Sequence, residues 1–418
     1  MLFLDFPKVL YMKKFKSLWM PVLWVLLLLG ACTPRVDKTK VELNGLLEEL
    51  KEEHVPDEQV EWWNISAAEV DGEVVLFGEV ASKEIYDAVL KGVSERFPNM
   101  KKELVLLPEE DEGMLVNGLV NNSVIHLRSE PSSKKELVTQ ALLGAPVRIL
   151  KTEGGKSLIQ VADGYIGWVN TAEVFILDQE GLAAYKEAKK VVFTAQYGMT
   201  YSEPDEASMP VTDLVIRNIL VLVSEGADFS RVQYPDGRLG WVRTRDIVPA
   251  GEVFYKTTLK DNLVQTAMKF HGIPYLWGGT SSKNIDCSGL ICNIYFMNGI
   301  QLPRDADMQA LIGRELSTEF VDEGLEPGDL LFFGRKATED QKESVTHVAM
   351  YIGGGEYIHS AGWKERVSIN SMDSTKENYI EHYPEIFVRS VRILGEEAVG
   401  FHPIAENKYY QEIISSSE

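Results

Sequence analysis

The chain has 418 residues, 45% of them hydrophobic and 25% charged, with a formal net charge of −21 at neutral pH. That length exceeds one ordinary core and predicts roughly two to four domains, and the composition gives no reason to expect wholesale disorder. An acidic balance of this size repels phosphates, which excludes nucleic acid and bare anionic surfaces as partners.

Residues 1–32 have the pattern of an export signal. Lys13, Lys14 and Lys16 precede an apolar run over 18–29, which is shorter than the roughly 20 residues a membrane-spanning helix needs. The ending Leu29-Gly30-Ala31-Cys32 resembles a bacterial lipobox. That resemblance implies cleavage before Cys32 and acylation of its thiol and new amino group. A lipoprotein anchored in the bacterial envelope is then expected, with the periplasmic face of the outer membrane as its place. With Cys32 lipidated, only Cys287 and Cys292 remain, so no disulfide framework is available and an exported thiol needs another reason.

Next in order, 36–112 reads as a small α/β module: an amphipathic helix, strands over 65–70 and 73–80 around Asp71-Gly72, a second helix, and a strand over 103–107. Its phrase Asp71-Gly72-Glu73-Val74-Val75-Leu76-Phe77-Gly78-Glu79-Val80 resembles the BON domain of envelope proteins. Two later segments repeat a pattern: Asp163-Gly164-Tyr165-Ile166-Gly167-Trp168-Val169 and Asp236-Gly237-Arg238-Leu239-Gly240-Trp241-Val242. Each follows short alternating strands with turn signals, which predicts one small β-barrel used twice, over 116–173 and 190–249. Both resemble bacterial SH3-like domains, with Trp168 and Trp241 expected in their cores. A linker helix is predicted over 181–190 and a boundary at Pro249-Ala250-Gly251. Residues 396–418 read as a tail without a usable motif.

The chemistry is concentrated in 255–395. A helix over 261–271 runs into the turn-rich Pro274-Tyr275-Leu276-Trp277-Gly278-Gly279, and then into Asp286-Cys287-Ser288-Gly289-Leu290-Ile291-Cys292. Asp286 is placed to cap a helix whose first turn carries Cys287. Free amides and the positive helix end there would stabilise a thiolate and hold a developing oxyanion. His347, in the strand-like Thr346-His347-Val348-Ala349, is the candidate base. Two antiparallel strands joined at Gly353-Gly354-Gly355 would set His359 beside it as orienting third member. A Cys/His₂ zinc site is the competing use, and no fourth ligand at sensible spacing accompanies it.

Asp286-Cys287-Ser288-Gly289, Gly328-Asp329-Leu330, His347-Val348-Ala349 and Tyr357-Ile358-His359 together resemble the NlpC-type, papain-like cell-wall cysteine peptidases. The expected fold is therefore multidomain α+β: a papain-like C-terminal domain preceded by two SH3-like barrels and a BON-like module. Family members with SH3-like domains imply hydrolysis of the γ-D-glutamyl bond to a diamino acid in murein peptides that begin with a free L-Ala. The same resemblance makes Tyr275 and Trp277 an aromatic pair lining the site, Asp286 and Ser288 polar contacts, and Asp305 of Pro303-Arg304-Asp305-Ala306 the partner of the substrate amine. Tyr165 of the first barrel would close that end. Val138 stands where an acidic residue is expected, with Glu136 on the same face as its substitute. A monomer with no metal or other cofactor is expected. The alternatives are a wall-lytic hydrolase of intact stems, a non-catalytic wall-binding lipoprotein, and an acyltransferase that resolves the thioester with an amine.

Overall fold

A computed structural model of the protein describes residues 38–109, 113–256, 260–395 and 402–415. The export signal and Cys32 lie outside the described residues. Among the described residues, no helix is long and apolar enough to cross a membrane.

The N-terminal module begins with the helix Lys38–His54, whose Leu43, Leu46, Leu47 and Leu50 repeat at helical spacing and are buried. Strands Trp63–Val70 and Glu73–Val80 form an antiparallel hairpin. The helix Lys83–Arg96, capped by Ser82, returns the chain so that Lys101–Leu106 pairs parallel with the second strand. Trp62, just before this sheet, packs edge-on against Trp168 of the next domain, ring centroids 6.5 Å apart.

Two seven-stranded sheets follow. In the first, Val174–Ile176 pairs with Gly118–Val120, which leads through Pro146–Glu153, Lys156–Val161, Ile166–Asn170 and Val124–Arg128 to Leu137–Leu142. The second, over 190–249, has the same strand order read from the other edge, as one module used twice requires. The repeated Gly-Trp-Val has a packing cause. Arg128 opposes Trp168 and Tyr201 opposes Trp241 where an early strand meets a late one. A side chain at Gly167 or Gly240 would come within 2.8 Å of Leu127 Cβ or Thr200 Cβ respectively, so both positions need glycine. Trp168 is buried as expected, whereas Trp241 is half-buried, with the Arg231 guanidinium 5.9 Å from its ring.

The C-terminal domain sets the helix Cys287–Phe296 against a six-stranded antiparallel sheet in the order Arg314–Ser317, Phe387–Arg392, Leu330–Arg335, Ser344–Gly353, Glu356–Ala361, Arg366–Ser371. Every residue of that helix is buried, with Leu290, Ile291 and Ile294 in one core with Val348, Met350 and Ile358. The helix runs so close to the preceding loop that a side chain at Gly289 would lie 2.2 Å from the Gly279 carbonyl. The first barrel forms one wall of the cleft in front of the helix, because Gln140 accepts from the Thr280 amide at 2.8 Å and Thr139 accepts from Arg304 at 3.0 Å. The second barrel braces it from the side, with the Arg217 guanidinium 3.9 Å from the Phe296 ring. Residues 402–415 do not hang free as a tail: His402–Pro403 pairs with Ile300–Gln301, and Tyr409, Tyr410, Ile413 and Ile414 enter the main core.

Candidate active site

The nucleophile sits where a helix begins. Asp286 is extended (φ −92°, ψ −175°) and its side chain accepts from the Gly289 amide, so helical geometry starts at Cys287. The other Asp286 oxygen accepts from the Gly278 amide at 2.9 Å and from Arg304 Nη2 at 2.5 Å. Arg304 also donates to Ser288 Oγ at 2.8 Å. Arg304 is 3% exposed, so it is an interior cation and not a solvated turn residue. Asp286 and Ser288 line the cleft, yet their polar atoms are already held by Arg304. These bonds fix the nucleophile's loop. A buried pair of this kind is sensitive to loss of either partner, which would strand a charge out of water.

Burial opposes the thiolate expected at Cys287. Cys287 is 9% exposed, and burial first, then the neighbouring Asp286 carboxylate, push its thiol up to about 12. The amides of Val348 and Ser288 bond toward the sulfur and pull the other way, without reversing the sign. Burial therefore opposes thiolate formation at Cys287, and removal of its proton falls to a neighbouring base.

That base comes with its tautomer set by a chain of hydrogen bonds. His347 Nε2 lies 2.8 Å from His359 Nδ1, on adjacent antiparallel strands. His359 Nε2 lies 3.0 Å from Asn370 Oδ1. Asn370 Nδ2 donates to the Asn378 carbonyl at 2.5 Å and Ser368 Oγ donates to Asn370 Oδ1 at 3.2 Å, which makes Oδ1 the atom facing His359. An acceptor there requires the His359 proton on Nε2, so His359 Nδ1 accepts from His347 Nε2–H. The Tyr383 hydroxyl, at 3.2 Å, donates to the same Nδ1. His347 is left with an unprotonated Nδ1. Burial, then His359, hold the His347 imidazole well below the usual histidine range, and burial holds His359 down at about 4. Both rings are thus neutral near pH 7. Because Cys287 receives a bond from the amide that follows His347, base and nucleophile adjoin at the strand's exposed end.

The cleft has a volume of 480 Å³ and is lined by Tyr275, Trp277, Asp286, Cys287, Ser288 and Asp305 of the peptidase domain with Glu136 and Tyr165 of the first barrel. All seven substrate-contact candidates therefore share one cavity with the nucleophile. Tyr165 donates its hydroxyl to Asp305 across the barrel–peptidase junction. Burial raises the Asp305 carboxyl above the usual range, opposed by the Tyr165 bond and by Arg304. Trp277, 65% exposed, is held over the cleft by its indole N–H, which donates to Glu136 Oε1 at 3.2 Å. Val138 lines the cleft as well, so Glu136 is the carboxylate this wall offers. Tyr275 keeps its hydroxyl proton, its acidity suppressed by burial and then by Cys287 and Asp286.

Sequence reading missed Asn370, Tyr383 and Gln59. Asn370 had a signal: in Val367-Ser368-Ile369-Asn370 polar side chains alternate along a strand beside the His359 strand, where an apolar face would be expected. Tyr383 and Gln59 arrive from the short helix Tyr383–Ile386 and from a distant domain, and nothing local marks them.

Comparison with known proteins agrees with this geometry. The NlpC/P60 family matches residues 272–384, and the bacterial dipeptidyl-peptidase Sh3 domain matches 127–174. The chain is 33% identical over 266 residues to a gamma-D-glutamyl-L-lysine dipeptidyl-peptidase of Bacillus cereus, covering 60% of this chain and 75% of that one. It is 30% identical over 271 residues to dipeptidyl-peptidase 6 of Lysinibacillus sphaericus, covering 63% and 94%. A crystal structure of an NlpC/P60 protein from Bacillus cereus superposes with a TM-score of 0.57 at 27% identity, covering 66% of this chain and 99% of that one. With a buried cysteine at a helix start, a histidine pair on the facing strands and relatives matched over most of their length, the chain belongs to the NlpC/P60 family of cysteine peptidases.

Proposed function

We propose that the protein hydrolyses the γ-D-glutamyl bond to a diamino acid in murein peptides that carry a free N-terminal L-Ala, releasing L-Ala-γ-D-Glu. The observation that carries this is the Tyr165–Asp305 pair, which walls in a carboxylate at the far end of the Cys287 cleft. A partly desolvated carboxylate there is satisfied by an ammonium and left unpaired by an acylated nitrogen, so it selects released peptides over intact stems. The gamma-D-glutamyl-L-lysine dipeptidyl-peptidase relative supports the same bond. In the reaction His347 Nδ1 takes the Cys287 proton as sulfur attacks the γ-carbonyl carbon, the amides at the helix start donate to the developing oxyanion, and the proton passes to the departing amine. Water, deprotonated by the same imidazole, then resolves the thioester. The test is incubation with L-Ala-γ-D-Glu-L-Lys and with the diaminopimelate analogue, using Cys287→Ala as control. Release of L-Ala-γ-D-Glu and the free diamino acid by the wild type alone is expected; release of free L-Ala instead, or equal cleavage by the Cys287→Ala variant, would overturn it.

Residues 13–32 support a further part of the same proposal: export, lipidation at Cys32 and anchorage in the envelope membrane, with the catalytic domains acting as a monomer on its periplasmic side. The hairpin, helix and strand order of 63–106 is compatible with a BON-like N-terminal module. Mass spectrometry of the mature N-terminus tests the anchor, with an acylated Cys32 expected and an unmodified N-terminus contradicting it.

A further inference from the structure

The N-terminal module lies outside both matched family regions, yet one of its residues reaches the cleft. Gln59 lines the same 480 Å³ cavity, at the end occupied by Tyr165, Asp305 and Asp307. Its position is tightly held. The Asp57 side chain accepts from the Gln59 amide at 2.8 Å, and the Gln59 carbonyl accepts from the Ile166 amide at 2.8 Å. The Val60 carbonyl accepts from Gln160 Nε2 at 3.3 Å, and a side chain at Gly164 would meet Val60 Cγ1 at 3.3 Å. These anchors fall on Gly164 and Ile166, the two neighbours of Tyr165, so the segment grips the tyrosine from both sides. Trp62 against Trp168 secures the segment's far end. Gln59 is exposed where it lines the cleft, and its side chain carries no charge. Asp57 adds its negative charge to those felt by Asp305.

We infer that the segment 57–60 is a specificity element of the peptidase: Gln59 fills the space beyond the substrate's amine, and its backbone holds Tyr165 in contact with Asp305. The inference rests on the free-amine reading of the cleft and extends it, because it gives the N-terminal module a direct part in substrate choice. An uncharged side chain suits that position, since a lysine would pair with Asp305 in place of the ligand and a glutamate would add repulsion to an acidic end. A substrate with a group on its α-nitrogen must place that group where Gln59 stands.

The experiment compares kcat/KM for L-Ala-γ-D-Glu-L-Lys and its N-acetylated twin in the full mature chain. Gln59→Ala, which keeps the backbone bonds, is expected to raise the acetylated-to-free ratio by about tenfold, whereas Gln59→Met, which keeps the bulk, leaves the ratio low. Val60→Gly, which loosens the grip on Tyr165, is expected to raise KM for the free peptide more than it lowers kcat. If the wild type discriminates but neither Gln59→Ala nor Val60→Gly changes the ratio or KM, the inference is overturned and the free-amine reading stands. If the wild type already cleaves both peptides equally, the reading and the inference fail together.

Discussion

Asn370 touches neither substrate nor nucleophile, yet the hydrogen-bond chain makes the base depend on it. Replacing it by leucine removes the acceptor that holds the His359 proton on Nε2, in a site where His359 is fully buried and Asn370 is 2% exposed. The stranded N–H costs about 1–3 kcal/mol. The ring can avoid that cost by moving its proton to Nδ1, which faces His347 Nε2 and forces the His347 proton onto the nitrogen needed for Cys287. If that free energy appears in the proton transfer from Cys287 to His347, kcat falls by about 5- to 150-fold. Asn370→Asp keeps an acceptor toward His359 while losing the bond to the Asn378 carbonyl. It should recover part of the activity and shift the acid limb of the pH profile upward, because a carboxylate favours the imidazolium. The assay is kcat from initial rates at saturating peptide, alongside urea unfolding to separate rate from stability. A leucine variant within about twofold of wild-type kcat, or an aspartate variant no better than leucine with an unmoved acid limb, would refute the tautomer argument.

Four further outcomes follow from the same geometry. The acid limb of kcat should fall below pH 6.5, since His347 is held well under that value and must be neutral to act as base, with activity lost as pH drops through its lowered pKa. The alkaline limb of kcat/KM should fall at about 8, where the substrate's own α-amine loses the proton that Asp305 recognises, and should vanish for any N-acetylated substrate that is turned over. Stability should decline between pH 6.5 and 4, because the unfolded chain protonates His359 at 6.5 while the fold resists it down to about 4. That contribution is complete above 6.5 and reaches about 3 kcal/mol when lost, measurable by urea unfolding across the range. Arg304→Met should destabilise the fold by about 3–5 kcal/mol by stranding the Asp286 carboxylate, with Arg304→Met/Asp286→Asn recovering much of the loss; equal stability of the single variant and wild type would contradict a structural role for the pair.

What the chain discloses by itself is what its neighbours in sequence decide. An aspartate before Cys287 and apolar residues at helical spacing after it specify a capped helix. Positions of equal parity on two strands joined by three glycines bring His347 to His359. Contacts that depend on docking are not disclosed in that way. The burial of Arg304 depends on the first barrel and the nucleophile loop closing around it. The direction of the Cys287 shift follows from burial, which no local pattern reports. Gln59 and Tyr383 come from 57–60 and from the short helix Tyr383–Ile386, distant in sequence from the residues they serve. The tail over 402–415 has no motif because its work is packing, with Tyr409 donating to Gln160 of the first barrel at 3.0 Å.

The most direct test of the account is the ratio of kcat/KM for the free-amine tripeptide and its N-acetylated twin, measured for wild type and for Asp305→Asn. A charge-assisted contact in a partly desolvated site is worth about 1.5–3 kcal/mol, so the wild type should prefer the free amine by at least about tenfold and Asp305→Asn should lose most of that preference through KM. Equal cleavage of both peptides by the wild type, or an Asp305→Asn variant as selective as its parent, would contradict a peptidase built to read a free N-terminus.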